Sequence, residues 1–296
     1  TIDHDIDCDL EETGTLTLAD QAYQVDEFKA WVDEAAGYGE HLEFLDRDAA
    51  RAEIHSPLWQ AGLYRAPGED VLLDPVKLCR GIARVARSRG VAIHEHTRVR
   101  SLRRRAGGVD VRTTAGATVR ADQVVVATSA YSGWLRRLWG GYDASYHPGS
   151  RVGPGLDRRP ATFERLEAQF FRAFPQLDGL SFPYRWGGAI DTTTRFCVTF
   201  GQTMGGRVTY ALGYTGLGVG ASRWAGGVIR DFLLRPDEDR LRLRFVRTPP
   251  IPFPPEPLRT VAVETVRREL DRADRAEGRR GLLLRTLDAL GVGFDS

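Results

Sequence analysis

Val208-Thr-Tyr-Ala-Leu-Gly213-Tyr-Thr-Gly-Leu-Gly-Val-Gly220-Ala221 is the stretch on which the fold of this chain turns. Val208–Leu212 is rich in apolar and β-forming residues and predicts a strand, and the run from about Val219 to Leu234 predicts a helix. Between them lies a turn holding glycines 213, 216 and 218. Glycine lets a backbone approach a ligand closely, and the first N–H groups of a helix have no partners within it. A strand, a glycine turn and a helix in that order therefore make an anion site. Gly216-x-Gly218-x-x-Ala221 also matches the dinucleotide fingerprint, with Ala in the last place. That fingerprint needs a second strand after the helix, with an acidic residue about 20 positions on. The strand candidate here is Leu241–Val246, and no acidic residue closes it. Nicotinamide binding through Gly216–Ala221 stays open at this point, as does a tight turn that merely packs helix on strand.

Working outward, Val124-Val-Val-Ala127 is a continuous apolar run of the kind found in strands buried on both faces of a parallel sheet. Before it, strand signals at Val91–Ile93, Val99–Leu102, Val109–Thr113 and Thr118–Arg120 alternate with turns at 106–108 and 115–117, which predicts a β-meander. Asp74 is placed to cap a helix and Pro75 to occupy its first position. Leu78, Ile82, Val85 and Ala86 recur at helical spacing, and Gly90 supplies the stop. Further out, residues 13–18 predict a strand, and 26–36 and 46–53 predict helices. On the other side, 139–160 is Gly/Pro/Arg-rich and reads as irregular. Phe163, Leu166, Phe170, Phe171 and Phe174 line a helix that must end before Pro175. Phe196–Phe200 predicts a strand. The tail holds a Pro-rich stretch, 249–257, and helices near 260–273 and 282–290. The proline run has PxxP spacing, but a stiff connector is the expected role.

Four pieces, taken in order, resemble the FAD-dependent oxidoreductases of the D-amino-acid-oxidase superfamily, with the γ-glutamylputrescine-oxidase-like group as the nearest flavour. They are Leu73–Leu78 with its helix, Gly90–Arg105 followed by Asp122–Ala130, Arg185-Trp-Gly-Gly-Ala-Ile-Asp191, and Gly213–Val219. The resemblance implies an α/β (α+β) chain: a three-layer FAD-binding domain, incomplete, interleaved with substrate-domain portions and closed by a helical C-terminal tail. It divides the chain into a partial substrate-domain and connecting region (1–73), an FAD-domain portion (74–138), a second partial substrate-domain region (139–184), a C-terminal FAD-domain portion (185–245) and the connector with tail (246–296).

The same resemblance implies site roles. Val99 is to lie on the adenine side, Ala127 and Thr128 to border the FAD crevice, and Trp186, Gly187 and Gly188 to pass close to the isoalloxazine. Gly213, Tyr214, Thr215, Gly216, Leu217 and Gly218 are to present N–H groups to its N1 and O2 edge. The implied activity is oxidation of an amine or amino acid, with hydride transfer to flavin, imine hydrolysis and release of hydrogen peroxide. Two departures stand out. The family grips the FAD pyrophosphate with an opening strand, G-x-G-x-x-G turn and helix, and residues 1–20 hold no such turn. Trp134–Leu138 also runs directly into Trp139–Asp143, as though a substrate-domain insertion were absent. With no initiator Met at Thr1, a fragment, processed form or trimmed chain is expected. A non-catalytic remnant of such an oxidase is the competing reading from another class.

Among single residues, Arg185 could pair with a substrate carboxylate through its guanidinium fork, or serve as an ordinary surface arginine. Tyr214 could orient substrate or simply pack. Asp191 reads as a turn cap, and Cys197 as a small buried hydrophobe. His94 and His96 share a strand face without a third ligand, so no metal site is expected. The 296 residues carry a net charge of +1, which gives no global field toward nucleic acid or membrane surfaces. No apolar run approaches the roughly 20 residues needed to span a bilayer. Three scattered cysteines give no disulfide framework and point to the cytoplasm. The expected partner is a small amine or amino acid, and the oligomeric state is not legible.

Overall fold

A computed structural model describes residues 4–131 and 159–292; the junction Trp134–Asp143 and nearly all of the expected irregular stretch 139–160 lie outside the described residues. The chain is of mixed α/β class, and its described strands form three three-stranded sheets. It divides into two compact units. The first draws on Thr1–Ile93, Arg159–Arg185 and Ala273–Arg279, and the second on His94–Arg158, Trp186–Arg272 and Arg280–Ser296.

In the first unit, β1 (Thr15–Ala19) and β2 (Glu43–Leu45) flank β3 (Ala61–Arg65), both antiparallel to it. Ala19, Ala61 and Leu63 bury one face of this sheet against Phe28 of α1 (Gln24–Gly37). α2 (Arg47–Glu53) starts at Asp46, whose carboxylate accepts the Ala49 N–H at 2.9 Å. α3 (Pro75–Ser88) begins and ends where the sequence requires. Asp74 Oδ1 accepts the N–H groups of Val76 and Lys77 at 2.8 and 2.9 Å, and Gly90 leaves the helix at φ +84°. Gly81 faces Ile6 so closely that a Cβ would stand 2.3 Å from Ile6 Cγ2. α4 (Pro160–Ala173) ends before Pro175, and its Phe170 and Phe171 rings meet Phe174 and Phe182 at centroid separations of 5.1 to 6.0 Å.

The second unit holds the meander β4 (Val99–Arg105), β5 (Gly108–Thr113) and β6 (Thr118–Ala121), paired in sequence order. Its other sheet has the order β7 (Val124–Val126), β9 (Val208–Leu212), β8 (Thr199–Thr203). β8 and β9 form a hairpin, whereas β7 runs parallel to β9 with Val124 opposite Val208 and Val126 opposite Tyr210. α5 (Gly218–Leu234) follows β9 directly and packs Ala225 and Val228 on Val198, Phe200 and Ala211. The Pro-rich connector after it is tethered by Thr194, whose hydroxyl donates to the Ile251 carbonyl at 2.8 Å. α7 (Leu258–Arg275) and α8 (Leu282–Ala289) follow.

Three expectations are corrected here. Residues 91–93 are not a strand; Val91 and Ile93 are exposed and the meander starts at Val99. β7 is parallel but not covered on both faces, because Val125 is 43% exposed at the sheet's edge. Leu241–Val246 is not a strand either. It forms a 3-10 turn (Asp239–Arg242) and the short α6 (Arg244–Arg247), which bury Leu241 and Val246 in the core beside α5. The second strand that a nicotinamide fingerprint needs after α5 is therefore missing from this segment, and the Gly216–Ala221 dinucleotide reading loses its structural partner.

Candidate functional site

Parallel pairing fixes where this site sits. β7 and β9 point the same way, so the residues that leave their carboxyl ends, Ala127–Thr128–Ser129 and Gly213–Gly218, emerge together. In open α/β sheets that end of a parallel pair is where ligands bind. Four residues there hold left-handed backbone: Ser129 at φ +45°, Thr215 at +52°, Gly213 at +81° and Gly216 at +85°. Gly213, at +81°, is required on two counts, since a Cβ would also stand 2.3 Å from Thr193 Cγ2.

The turn opens α5 with bare N–H groups. Leu217 stands at the N-cap position and offers no side-chain acceptor. Among the described residues no side chain caps the positive end of this 17-residue helix. Space is available as well. Among the described residues, a Cβ added at Gly220 or Gly188 would meet nothing within 4 Å, and one at Gly216 only Ile190 Cδ1 at 3.9 Å. An electron-rich, flat ring edge such as that of a flavin fits this combination of free donors and open glycines.

Asp191 holds the arrangement together. Its carboxylate is buried, at 2% exposure, and accepts the Gly213 N–H at 2.5 Å through Oδ2 and the Ser129 hydroxyl at 2.9 Å through Oδ1. Its backbone carbonyl accepts the Thr215 N–H at 2.9 Å. The sequence reading had Asp191 as a turn cap; the turn it serves lies 22 residues away, and it reaches β7 as well. The only local hint was an isolated acid in the run Ala189-Ile-Asp-Thr-Thr-Thr194. Ser129 was not singled out at all.

The remaining expected residues divide. Tyr214 is half-buried against the α5 core, and burial, followed by the Asp191 charge, pushes its phenol up, so it remains a protonated donor at neutral pH. Trp186 is 81% exposed in a coil with Gly187 and Gly188, five residues ahead of the buried Asp191. Val99 sits on β4 and packs into the cluster of Val124 and Val126, apart from the glycine turn's own hydrogen bonds. Arg185 belongs to the first unit, where its guanidinium pairs with Glu167 of α4 at 2.5 Å. Burial pushes the Cys197 thiol up, against a smaller opposing pull from Arg195, and its backbone carbonyl accepts the Thr193 hydroxyl at 2.9 Å. The thiol is half-buried, short of the fully buried hydrophobe the sequence suggests. Among the described residues no cluster of three or more metal-ligating side chains occurs.

The sequence profile of the FAD dependent oxidoreductase family matches residues 2–150, half of the chain. The chain belongs to this family. γ-Glutamylputrescine oxidoreductase of Escherichia coli K12 is 28% identical to it over 297 residues, covering 85% of this chain and 68% of that protein. Across this and two further curated relatives the chain spans about two thirds of their length, from 64% to 68%. Among solved structures, glycine oxidase from Geobacillus kaustophilus superposes with a TM-score of 0.70 at 22% identity, over 82% of this chain and 77% of that one. Iminodiacetate oxidase from Chelativorans superposes at 0.63 with 18% identity, over 83% and 78%. The fold is therefore that of FAD-binding oxidases in this superfamily, and FAD is the cofactor of the family. The glycine turn lies beyond the profile-matched residues. No helix among the described residues is long and apolar enough to cross a membrane.

Proposed function

We propose that this chain is the FAD-site-bearing part of an oxidase acting on a small amine or amino acid. The observation that carries the reading is the uncapped start of α5 above open glycines, at the shared carboxyl ends of β7 and β9. When bound there, FAD supplies a hydride acceptor for the C–H bond beside a substrate amine, leaving an imine for water to hydrolyse and two electrons for oxygen to take up as hydrogen peroxide.

The protein's share is orientation and electrostatics. Gly216 and Gly218 offer N–H groups toward the N1 and O2 edge, where negative charge gathers on reduction, whereas the N–H of Leu217 is held by the Tyr214 carbonyl at 2.9 Å and those of Gly213 and Thr215 by Asp191. Ala127 and Thr128 border the crevice from β7, and Trp186 to Gly188 supply an exposed aromatic and close-approach backbone beside it. Val99 is kept as a backbone contact on the adenine side. Tyr214, held protonated, can donate a hydrogen bond but cannot act as a base near neutrality. Arg185 is placed at the substrate carboxylate only if Glu167 releases it. The exposed free thiol of Cys79 suits a reducing compartment, and the cytoplasm is the proposed location.

An absorption and fluorescence titration of the purified chain with FAD tests this reading. A saturable perturbation of the flavin bands supports it, and peroxide release is then sought over a panel of primary and secondary amines and amino acids. No binding at high FAD sinks it for this chain and leaves the non-catalytic alternative.

A further inference from the structure

We infer that Asp191 is a positioning residue of the flavin site, setting both the shape of the glycine turn and the electrostatic potential beneath it; this rests on the proposal that the turn faces the flavin. Two strained residues, Ser129 and Thr215, and one left-handed glycine, Gly213, converge on this one residue. Ser129 leaves β7 in left-handed backbone and gives its hydroxyl to Oδ1. Gly213 leaves β9 in left-handed backbone and gives its N–H to Oδ2. Thr215, left-handed although it has a β-branched side chain, gives its N–H to the Asp191 carbonyl. Left-handed backbone at non-glycine residues such as Ser129 and Thr215 persists only where surrounding contacts over-determine it. Here a single residue ties the exit of β7 to the exit of β9.

The placement has a chemical cost that packing alone does not explain. A carboxylate at 2% exposure, held by neutral donors and, among the described residues, by no ion pair, is an expensive way to brace a turn. Its negative charge also reaches the adjacent Tyr214, whose phenol it helps to raise. A bound flavin edge lying against Gly216–Gly218 would feel the same charge, which disfavours added electrons. Asp191 thus opposes the pull of the α5 N-terminus and moderates how readily the ring accepts a hydride.

The test compares wild type with Asp191→Asn, which keeps the side-chain shape but removes the charge and one acceptor, and with the milder Ser129→Ala. Without ligand, amide hydrogen exchange at Gly213 and Thr215 is read by NMR. Exchange at Gly213 at least ten-fold faster in D191N, in a chain whose far-UV circular dichroism is unchanged, is expected. FAD affinity falls at least ten-fold in D191N and less in S129A. The midpoint potential of the bound flavin moves to more positive values in D191N but not in S129A, a difference that a purely structural brace would not produce. If wild type binds FAD and D191N matches it in amide exchange, affinity and potential, the inference is overturned. If wild type takes up no FAD, the reading of the site falls and the electrostatic half of the inference falls with it. Amide exchange then decides the bracing half, with unchanged Gly213 protection in D191N counting against it. Should D191N fail to fold, S129A carries the same comparison, and an unchanged Gly213 and FAD affinity there overturns the coupling of β7 to the turn.

Discussion

Replacing Gly213 by Ala places one methyl group where neither the backbone nor the neighbours accept it. At φ +81° an L-residue pays about 1–2 kcal/mol relative to glycine. The new Cβ would also stand 2.3 Å from Thr193 Cγ2, well inside van der Waals contact, and Thr193 is buried at 3% exposure with its hydroxyl committed to the Cys197 carbonyl. Overpacking of that kind costs about 1–3 kcal/mol. The sum is roughly 2–5 kcal/mol, a large share of an ordinary domain's stability. Thr193→Ser removes the offending methyl and keeps the hydroxyl, so in the double variant the steric part is relieved and the backbone part remains. Urea denaturation followed by circular dichroism, with m-values checked for constancy, gives the four stabilities of the cycle. A coupling of about 1–2 kcal/mol in favour of the double variant is expected. A G213A cost below about 0.5 kcal/mol, or a cycle additive within that margin, refutes the contact and the strain together.

Other outcomes follow from the same geometry. Gly226→Ala, in the middle of α5 with nothing within 4 Å of the new methyl, raises stability by about 0.5–1 kcal/mol and leaves FAD affinity unchanged, whereas Gly220→Ala, equally open but beside the proposed ring edge, weakens FAD binding in the same titration. The Asp74 carboxyl lies below its ordinary value chiefly because it accepts the Lys77 N–H, with the Val76 N–H and nearby cations adding to this. Its helix-capping contribution is therefore present above the unfolded carboxylate's pKa and lost as pH falls through the lower folded one. Wild type and Asp74→Ala accordingly converge in stability at acid pH and separate at neutral pH, and a constant difference across a pH series of melts contradicts the cap. Cys79, exposed, alkylates with iodoacetamide at pH 7.5 well before Cys197, whose thiol is pushed up by burial; peptide mass spectrometry reads the order, and simultaneous labelling refutes it.

Local signals in the sequence are legible where the partners are close neighbours. Asp74, Pro75 and Gly90 bound α3 because capping depends on residues within a few positions of each other. The turn at 213–218 was legible for the same reason. Leu241–Val246 was misread because Leu-Arg-Leu-Arg alternates like a strand. What decides its shape is a non-local clamp. Asp231 of α5 is buried at 1% and draws in Arg240 at 3.3 Å, while Leu241 and Val246 sink into the core on a helical path. Val125 was expected under cover because parallel strands are ordinarily covered on both faces, yet β7 ends up as an edge. Asp191 is the clearest limit. Its partners stand 62 residues before it and 22 after, and no window of sequence contains that relation.

The parallel pairing of β7 with β9 carries an evolutionary consequence. The chain leaves the sheet at Val126 and returns to its hairpin only at Thr199, and nothing in the β7–β9 register measures the length of what lies between. Closing a loop twice as long adds only about 0.6 kcal/mol. Descendants of one ancestor can therefore gain, lose or exchange the part of this excursion between Ser129 and Trp186 while the crevice at the strand ends, with Asp191 bracing it, stays the same. A lineage built this way diversifies what it acts on by editing an excursion, with the redox chemistry inherited intact.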